Sequence, residues 1–136
     1  MDIVTQVKKF LEPKAVAIFG VSRRTGKGEF NILERLLHYG YQGKVYPVNP
    51  NTTEILGMKC YPSVREIPER CDLAIINLPR QLISQVVREC VRGGIDSVVI
   101  VTQGFADADD DEGKQLQKKL DEIIRESEVR VVGPNT

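Results

Sequence analysis

A glycine-rich, basic segment is the part of this sequence best suited to chemistry. It directly follows the apolar run Ala15 to Phe19. Glycines let main-chain N–H groups approach a bound anion at the start of a helix, and cationic side chains beside them add fixed positive charge. The segment therefore predicts a site for a ligand rich in phosphate, and its candidate binding residues are Gly20, Ser22, Arg23, Arg24, Thr25, Gly26 and Lys27.

Two familiar nucleotide-binding motifs fit this segment poorly. The P-loop motif G-x-x-x-x-G-K-[ST] is one residue too short for the distance from Gly20 to Gly26, and Gly28 stands where the magnesium-binding hydroxyl belongs. The dinucleotide motif G-x-G-x-x-G lacks its second and third glycines, and the predicted strand Lys44 to Val48 ends without the acid that would hold a ribose hydroxyl. NTP hydrolysis and NAD binding are both disfavoured.

The overall composition excludes some classes of function. In the 136 residues, 19 Lys and Arg balance 19 Asp and Glu, so the net charge is zero. This balance gives no reason to expect nucleic-acid or membrane binding. Residues 1–11 carry charges throughout, unlike a signal peptide or a membrane span. We expect a single cytoplasmic domain over residues 1–136.

Other reactive side chains are interpreted as structural. The three cysteines, Cys60, Cys71 and Cys90, have no metal-ligand spacing, so we expect no metal site. His38, the only histidine, falls opposite the apolar side of its predicted helix and should be solvated rather than catalytic. The acidic run Asp107 to Glu112 departs from the EF-hand spacing and is better placed at a helix start, where the dipole favours carboxylates.

Apolar periodicity divides the chain into alternating strands and helices. The pattern predicts an α/β, Rossmann-like, doubly wound parallel sheet of five strands with helices on both faces. We expect the strand order 3-2-1-4-5 and right-handed crossovers. The predicted strands are Ala15 to Phe19, Lys44 to Val48, Asp72 to Asn77, Ser97 to Val101 and Val129 to Val132.

Turn-forming and polar residues follow several of these strands. Since the carboxyl ends of parallel strands lie at one edge of a sheet, where open α/β sheets bind ligands, we expect these turns to converge with the glycine-rich segment. The additional candidate binding residues are Asn49, Pro50, Asn51 and Thr52 after the second strand, Pro79 and Arg80 after the third, and Thr102 and Gln103 after the fourth.

Many short matches over Phe10 to Asn135 point to one family. The chain resembles the CoA-binding domain that begins the NDP-forming acyl-CoA synthetases, which are related to the α subunit of succinyl-CoA synthetase. The matching segments are Pro13, Val16 to Ser22, Gly40 to Lys44, Tyr46 to Pro50, Leu56-Gly57, Tyr61 to Val64, Asp72 to Ala74, Gly104-Phe105 and Gly133 to Asn135.

The resemblance implies that coenzyme A is the ligand. By analogy with the family, CoA would be received by Ser22 to Gly26, Asn49 to Thr52, Pro79 with Arg80, and Thr102 with Gln103. Family members continue into a second domain with a phosphorylated histidine and then into ATP-grasp segments. His38 does not match that histidine, so catalysis would require other synthetase domains or subunits, and the domain would be a fragment or a stand-alone module.

Two other functions remain open at this point. A regulatory or redox module could bind NADP(H) or NAD(H) on the same sheet, because Arg23 and Arg24 could meet a 2′-phosphate as readily as a 3′-phosphate. A subunit with an empty site could serve assembly alone, and the chain could form a homo-oligomer.

Overall fold

The computed structural model describes residues 2–21 and 31–136. Two short 3-10 helices span Val64–Glu66 and Arg80–Leu82. No helix in the described ranges is both long and apolar enough to cross a membrane. The elements, in chain order, are α1 (Ile3–Leu11), β1 (Ala15–Phe19), α2 (Ile32–His38), β2 (Lys44–Val48), β3 (Glu54–Ile55), β4 (Met58–Lys59), β5 (Leu73–Ile76), α3 (Ile83–Arg92), β6 (Ser97–Ile100), α4 (Asp111–Glu126) and β7 (Arg130–Val132).

Five parallel strands form the predicted sheet, but their order differs from our expectation. The observed order is β2-β1-β5-β6-β7, so the five long strands run 2-1-3-4-5 and the predicted order 3-2-1-4-5 is wrong. The third long strand, β5, pairs with β1 in the register Val16↔Leu73 to Phe19↔Ile76. β5 therefore lies on the side of β1 opposite to β2, instead of extending the sheet beyond β2.

Pro47 gives a physical reason for this order. In β2, the carbonyl of Pro47 points away from β1 and accepts a hydrogen bond from Tyr61 N at 2.9 Å. A parallel strand on that side would also need an N–H from residue 47, which proline lacks. The outer side of β2 is instead met by an isolated bridge between Val48 and Tyr61, so β2 lies at the edge of the sheet.

Helices cover both faces of the sheet, as predicted. Alternate residues of β1 face opposite ways: Ala15, Ala17 and Phe19 pack in one cluster with α3 and α4, while Val16 and Ile18 pack in another with α1 and α2. All five residues of β1 are buried, which is typical of a central strand between two helical layers.

A small hairpin was not predicted. The antiparallel strands β3 and β4 pair Ile55 with Met58 around a two-residue turn. Leu56 and Gly57 both have positive φ, 50° and 77°, as a tight hairpin turn with right-handed strand twist requires. Leucine rarely occupies such a position, so the usual Asn-Gly or Asp-Gly signal is missing from the sequence.

The cysteines are buried, as we expected for structural thiols. Cys60, Cys71 and Cys90 are all buried. Desolvation by burial raises the pKa of Cys71 to about 12 and that of Cys90 to about 12. Since the thiolate is the reactive form of cysteine, neither side chain is prepared for chemistry in the folded domain.

This burial predicts slow thiol modification in the native protein. We expect all three cysteines to resist Ellman's reagent at mildly alkaline pH until the domain unfolds, because the reagent needs an accessible thiolate. The same sample in guanidinium chloride serves as the control and should release the full amount of chromophore. Rapid stoichiometric labelling of the native domain would contradict the buried positions.

Candidate ligand-binding site

The carboxyl ends of neighbouring strands lie together at one edge of the sheet. Asn77 N, just after β5, donates to Phe19 O of β1 at 3.0 Å, and Val101 N, just after β6, donates to Ile76 O at 2.9 Å. The turns after these strands therefore begin side by side. The predicted residues Ser22, Arg23, Arg24, Thr25, Gly26 and Lys27 lie outside the described residues.

A cavity of about 520 Å³ opens at this edge. It contains predicted residues from two turns, because Gly20 after β1 and Asn49, Pro50 and Asn51 after β2 all line it. Its size is within the range of roughly 300–1,000 Å³ that is common for small-molecule sites. The structure thus brings two of the four predicted segments to one concave surface.

Sequence analysis missed the other wall of this cavity. Residues from the turn before the first 3-10 helix and from α3 combine apolar surface with a few polar groups, as ligand sites usually do. Ser63 is at the N-cap of the 3-10 helix without making a side-chain capping bond. The available signal in the sequence was the spacing of Leu82, which directly precedes α3, and of Gln85 and Glu89 within α3. The lining residues from these elements are Pro62, Ser63, Leu82, Gln85, Val86 and Glu89.

Gly20 permits a close approach of two strand ends. Its φ is +84°, and a Cβ added there would lie 2.0 Å from Asn77 O. Any side chain at residue 20 would therefore push the turn after β1 away from the end of β5. The glycine is required by the backbone geometry of this edge, whatever ligand the site holds.

The turn after β2 is fixed by its own hydrogen bonds. Asn51 N donates to Asn49 Oδ1 at 2.8 Å, which is the Asx-turn geometry that asparagine favours. Asn49 N donates to Tyr61 O at 2.9 Å. Thr52 Oγ1 donates to Glu54 O at 3.1 Å. The predicted binding residue Thr52 does not line the cavity. The exposed Pro50 and Asn51 are thus presented on a defined loop.

The turns after β5 and β6 are joined by a threonine hydroxyl. Thr102 Oγ1 donates to Leu78 O at 2.6 Å and accepts from Leu78 N at 3.1 Å. Pro79 and Gln103, the next residues of the two turns, are both exposed. Neither Thr102 nor Gln103 lines the cavity, so these predicted residues lie beside it along the same edge.

Arg80 is held by acceptors of the protein itself. Its Nη1 donates to Gly104 O at 2.8 Å and to Asp110 Oδ2 at 3.1 Å, while Nη2 donates to Glu112 Oε2 at 2.8 Å. Gln81 Nε2 donates to the other oxygen of Glu112 at 3.0 Å. This cluster ties the turn after β5 to the turn after β6 and to the start of α4.

The acidic run begins α4, as we predicted. Asp110 is the N-cap residue and accepts from Gly113 N at 2.6 Å. This backbone hydrogen bond, with a further contribution from Arg80, lowers the pKa of Asp110 below its ordinary value of 3.8. The pKa of Arg80 is raised; desolvation opposes this shift, but the carboxylates of Asp110 and Glu112 outweigh it.

Two further expectations concern metal ligands and the histidine. No group of three His, Cys, Asp or Glu side chains in the described part of the chain is arranged to hold a metal ion. His38 is exposed at the end of α2, as predicted.

A second, larger cavity of about 740 Å³ lies at the opposite edge of the sheet, where Phe10, Pro13 and Tyr41 are among its mostly apolar lining residues. The strand ends there are amino ends, which is not where open α/β sheets bind ligands.

The close approach of Gly20 to Asn77 predicts that one methyl group added at residue 20 lowers the stability of the domain strongly. We expect Gly20→Ala to destabilise the domain by about 1–2 kcal/mol for the left-handed backbone and by about a further 1–3 kcal/mol for overpacking. Gly40→Ala is the matched control, because Gly40 also has positive φ, 75°, but nothing within 4 Å of an added Cβ. Urea unfolding of both variants measures the difference, and equal losses would contradict the contact with Asn77.

The lowered pKa of Asp110 predicts a pH-dependent stability. Because the folded-state pKa lies below the unfolded one, the charge of Asp110 stabilises the fold fully above its ordinary value of 3.8, and this stabilisation is lost as the pH falls through the folded-state pKa. Asp110→Asn should therefore lower Tm at neutral pH, with a difference from wild type that shrinks in acid. Asp109→Asn, in the same exposed run, should show little change at either pH.

Comparison with known proteins identifies the family and several relatives of this domain. Residues 14–136 match the CoA binding domain family model. The chain is 41% identical over 133 residues to acetate–CoA ligase [ADP-forming] II of Archaeoglobus fulgidus, covering 98% of this chain and 20% of that protein. It is 38% identical over 133 residues to the α subunit of acetate–CoA ligase [ADP-forming] I of Pyrococcus furiosus, covering 95% and 29%.

A solved structure extends the likeness to three dimensions. The dinucleotide-forming acetyl-coenzyme A synthetase 1 of Ca. Korarchaeum cryptofilum, in complex with phosphate and ADP, superposes with a TM-score of 0.82 at 32% identity, over 96% of this chain and 28% of that one. The chain thus spans less than a third of the length of each of these relatives. The family match covers every described strand of the sheet and all of its carboxyl-edge turns, and the chain therefore belongs to the CoA binding domain family.

Proposed function

We propose that this domain binds coenzyme A at the carboxyl edge of its sheet. The observation that carries the proposal is the cavity of about 520 Å³ formed where Gly20 meets the turn Asn49 to Asn51, in a chain whose family model describes CoA binding. The sequence predicts that both turns bind a ligand. The edge also fits the general position of ligand sites in open α/β sheets.

The cavity suits the nucleoside end of CoA. Pro50, Pro62 and Val86 offer apolar surface to a planar base, while Gln85 and Glu89 offer an amide and a carboxylate to its polar edge. A small number of polar groups in a mostly apolar cleft is the usual means of orienting a ligand. The base would therefore sit between the turn after β2 and the first turns of α3.

The phosphates would lie towards the glycine-rich segment. Gly20 begins that segment at the mouth of the cavity, and Arg23, Arg24 and Lys27 follow within it. Guanidinium groups bind phosphate through paired, charge-assisted hydrogen bonds, and consecutive backbone N–H groups can surround an anion. In this proposal the segment neutralises the diphosphate and the 3′-phosphate of CoA.

The pantetheine arm would follow the remaining strand ends. From the cavity, Leu78 leads to Pro79, and the hydroxyl of Thr102 joins this turn to the one after β6. Gln103 is exposed there, and its side chain makes no hydrogen bond to any other described residue. Its amide can therefore donate to and accept from the amide groups of the pantetheine arm.

The complete reaction would need more protein than this domain. Since the relatives named above are ADP-forming CoA ligases of greater length, we propose that further domains or subunits activate the carboxylate as an acyl phosphate. This domain would present the CoA thiol to it. We assign no catalytic side chain to the described residues. CoA is favoured over NADP(H) and NAD(H), since the named relatives are CoA ligases and β2 is followed directly by Asn49 and Pro50 instead of an acid.

Calorimetry with three ligands tests the proposal. We expect CoA to bind about tenfold more tightly than dephospho-CoA, because a charge-assisted hydrogen bond contributes about 1.5–3 kcal/mol, and NADPH to bind weakly. In the variant Arg23→Ala with Arg24→Ala, the advantage of CoA over dephospho-CoA should largely disappear.

Arg88→Ala provides the matched control, because Arg88 is an exposed arginine on α3 that does not line the cavity. It should leave the affinity for all three ligands unchanged. Equal binding of CoA and dephospho-CoA by the wild-type domain would refute the role given to the basic segment. NADPH binding without CoA binding would refute the proposed ligand.

A further inference from the structure

Arg80 stands out among the predicted binding residues because its charge is already used by the protein. We propose that Arg80 is a positioning residue: it holds the turn Thr102 to Gly104 so that Gln103 meets CoA, and it does not itself contact the ligand. This inference rests on the proposed function, since it concerns the same carboxyl edge. It changes the role of Arg80 from the ligand contact predicted from the sequence to a connection between two turns.

The guanidinium group has few free donors. Gly104 O, Asp110 and Glu112 receive hydrogen bonds from it at 2.8, 3.1 and 2.8 Å, and its side chain is only 21% exposed. Arginine has N–H groups in a fixed planar fork, so one orientation satisfies these three acceptors together. Three of its five N–H groups are therefore used by the protein, and only Nε–H and one Nη2–H remain for any other acceptor.

The surrounding charge also opposes a phosphate. Two carboxylates pair with the one guanidinium, and a third, Asp107, lies at the same turn, where it accepts from Gly104 N at 3.3 Å and Phe105 N at 3.0 Å. The cluster is therefore net negative. An anion approaching Arg80 would meet like charges that raise the free energy of binding.

Arg80 packs directly against the turn that it would position. Gly104 has a φ of +100°, and a Cβ added there would lie 2.7 Å from Arg80 Cδ. The backbone of the turn can therefore approach the aliphatic part of the arginine only because residue 104 is glycine. This contact and the hydrogen bond to Gly104 O fix the same peptide.

Two connections flank Gln103. On one side, Thr102 Oγ1 bonds both main-chain groups of Leu78 at 2.6 and 3.1 Å. On the other side, Arg80 Nη1 bonds Gly104 O at 2.8 Å. Between them the side chain of Gln103 is exposed and free for a ligand. A turn that is already ordered binds more tightly because less conformational entropy is lost on association, so breaking either connection should weaken binding.

The first experiment compares Arg80→Gln with Arg88→Gln by calorimetry with CoA and with dephospho-CoA. We expect Arg80→Gln to weaken both ligands by the same factor, about tenfold, which corresponds to about 1.4 kcal/mol, while Arg88→Gln changes neither. Arg80→Lys should not restore affinity, since an ammonium group cannot reproduce the planar fork. A loss confined to CoA, full rescue by lysine, or unchanged affinity in Arg80→Gln would overturn the inference.

A double-mutant cycle tests whether Arg80 acts through Gln103. If it does, Arg80→Gln should have little further effect on CoA affinity in a Gln103→Ala background, because the two changes remove the same contact. Additive losses would mean that Arg80 acts elsewhere.

The variant Glu112→Gln retains Arg80, so it tests the role of this residue even if the Arg80 variants fail to fold. If Arg80 is a positioning residue, Glu112→Gln should weaken CoA binding relative to Asp111→Asn, which removes a neighbouring carboxylate that does not pair with Arg80. If Arg80 instead binds phosphate, releasing it from Glu112 should strengthen CoA binding relative to the same control. The opposite signs separate the two roles.

A measurement without ligand separates this inference from the proposed function. In ¹H–¹⁵N NMR spectra of the free domain, Arg80→Gln should shift the amide signals of Gln103 and Gly104, and Arg88→Gln should not. Failure of wild type to bind CoA would refute the proposed function even if these shifts appear. Unchanged turn signals would refute the positioning role even if wild type binds CoA.

Discussion

The pairing of β1 with β5 is the constraint on which the carboxyl edge depends. Their register ends at Phe19↔Ile76, and the next residues, Gly20 and Asn77, approach so closely that a Cβ at residue 20 would overlap the Asn77 carbonyl. This contact fixes Gly20, which lines the cavity of about 520 Å³, against the start of the turn after β5. Loops that differ widely in sequence position become neighbours because these two strands meet.

The two ends of the carboxyl edge differ in how their charged and polar groups are paired. At the end near α4, Arg80 satisfies the carboxylates of Asp110 and Glu112, so acid and base stabilise the protein itself. At the other end, the turn after β2 and the polar groups of α3 line an open cavity, and Gly20, which also lines it, is followed in the sequence by Arg23, Arg24 and Lys27. The zero net charge of the chain therefore coexists with a basic cluster in its sequence, and the proposed phosphate binding rests on that cluster.

Local sequence patterns predict where each strand lies along the chain better than they predict which elements become neighbours in the fold. Apolar runs and periodicity locate the five long strands, and the turn residues Asn49 to Asn51 mark one wall of the cavity. The predicted strand order is wrong because periodicity carries no information on it, whereas Pro47 favours an edge position for β2. The wall formed by Ser63, Gln85 and Glu89 depends on how α3 packs after β5, and the role of Arg80 depends on distant acceptors, so neither follows from spacing along the chain.

The most direct test of the account is to map CoA binding on the domain by ¹H–¹⁵N NMR. Titration with CoA should shift the amide signals of Gly20, Asn49, Asn51 and Gln103, which lie along the carboxyl edge. The signals of Tyr41 and Gly43, beside the larger cavity at the opposite edge, should stay unchanged. Shifts confined to that opposite edge, or no shifts at saturating CoA, would contradict the claim that the carboxyl edge of this sheet receives CoA.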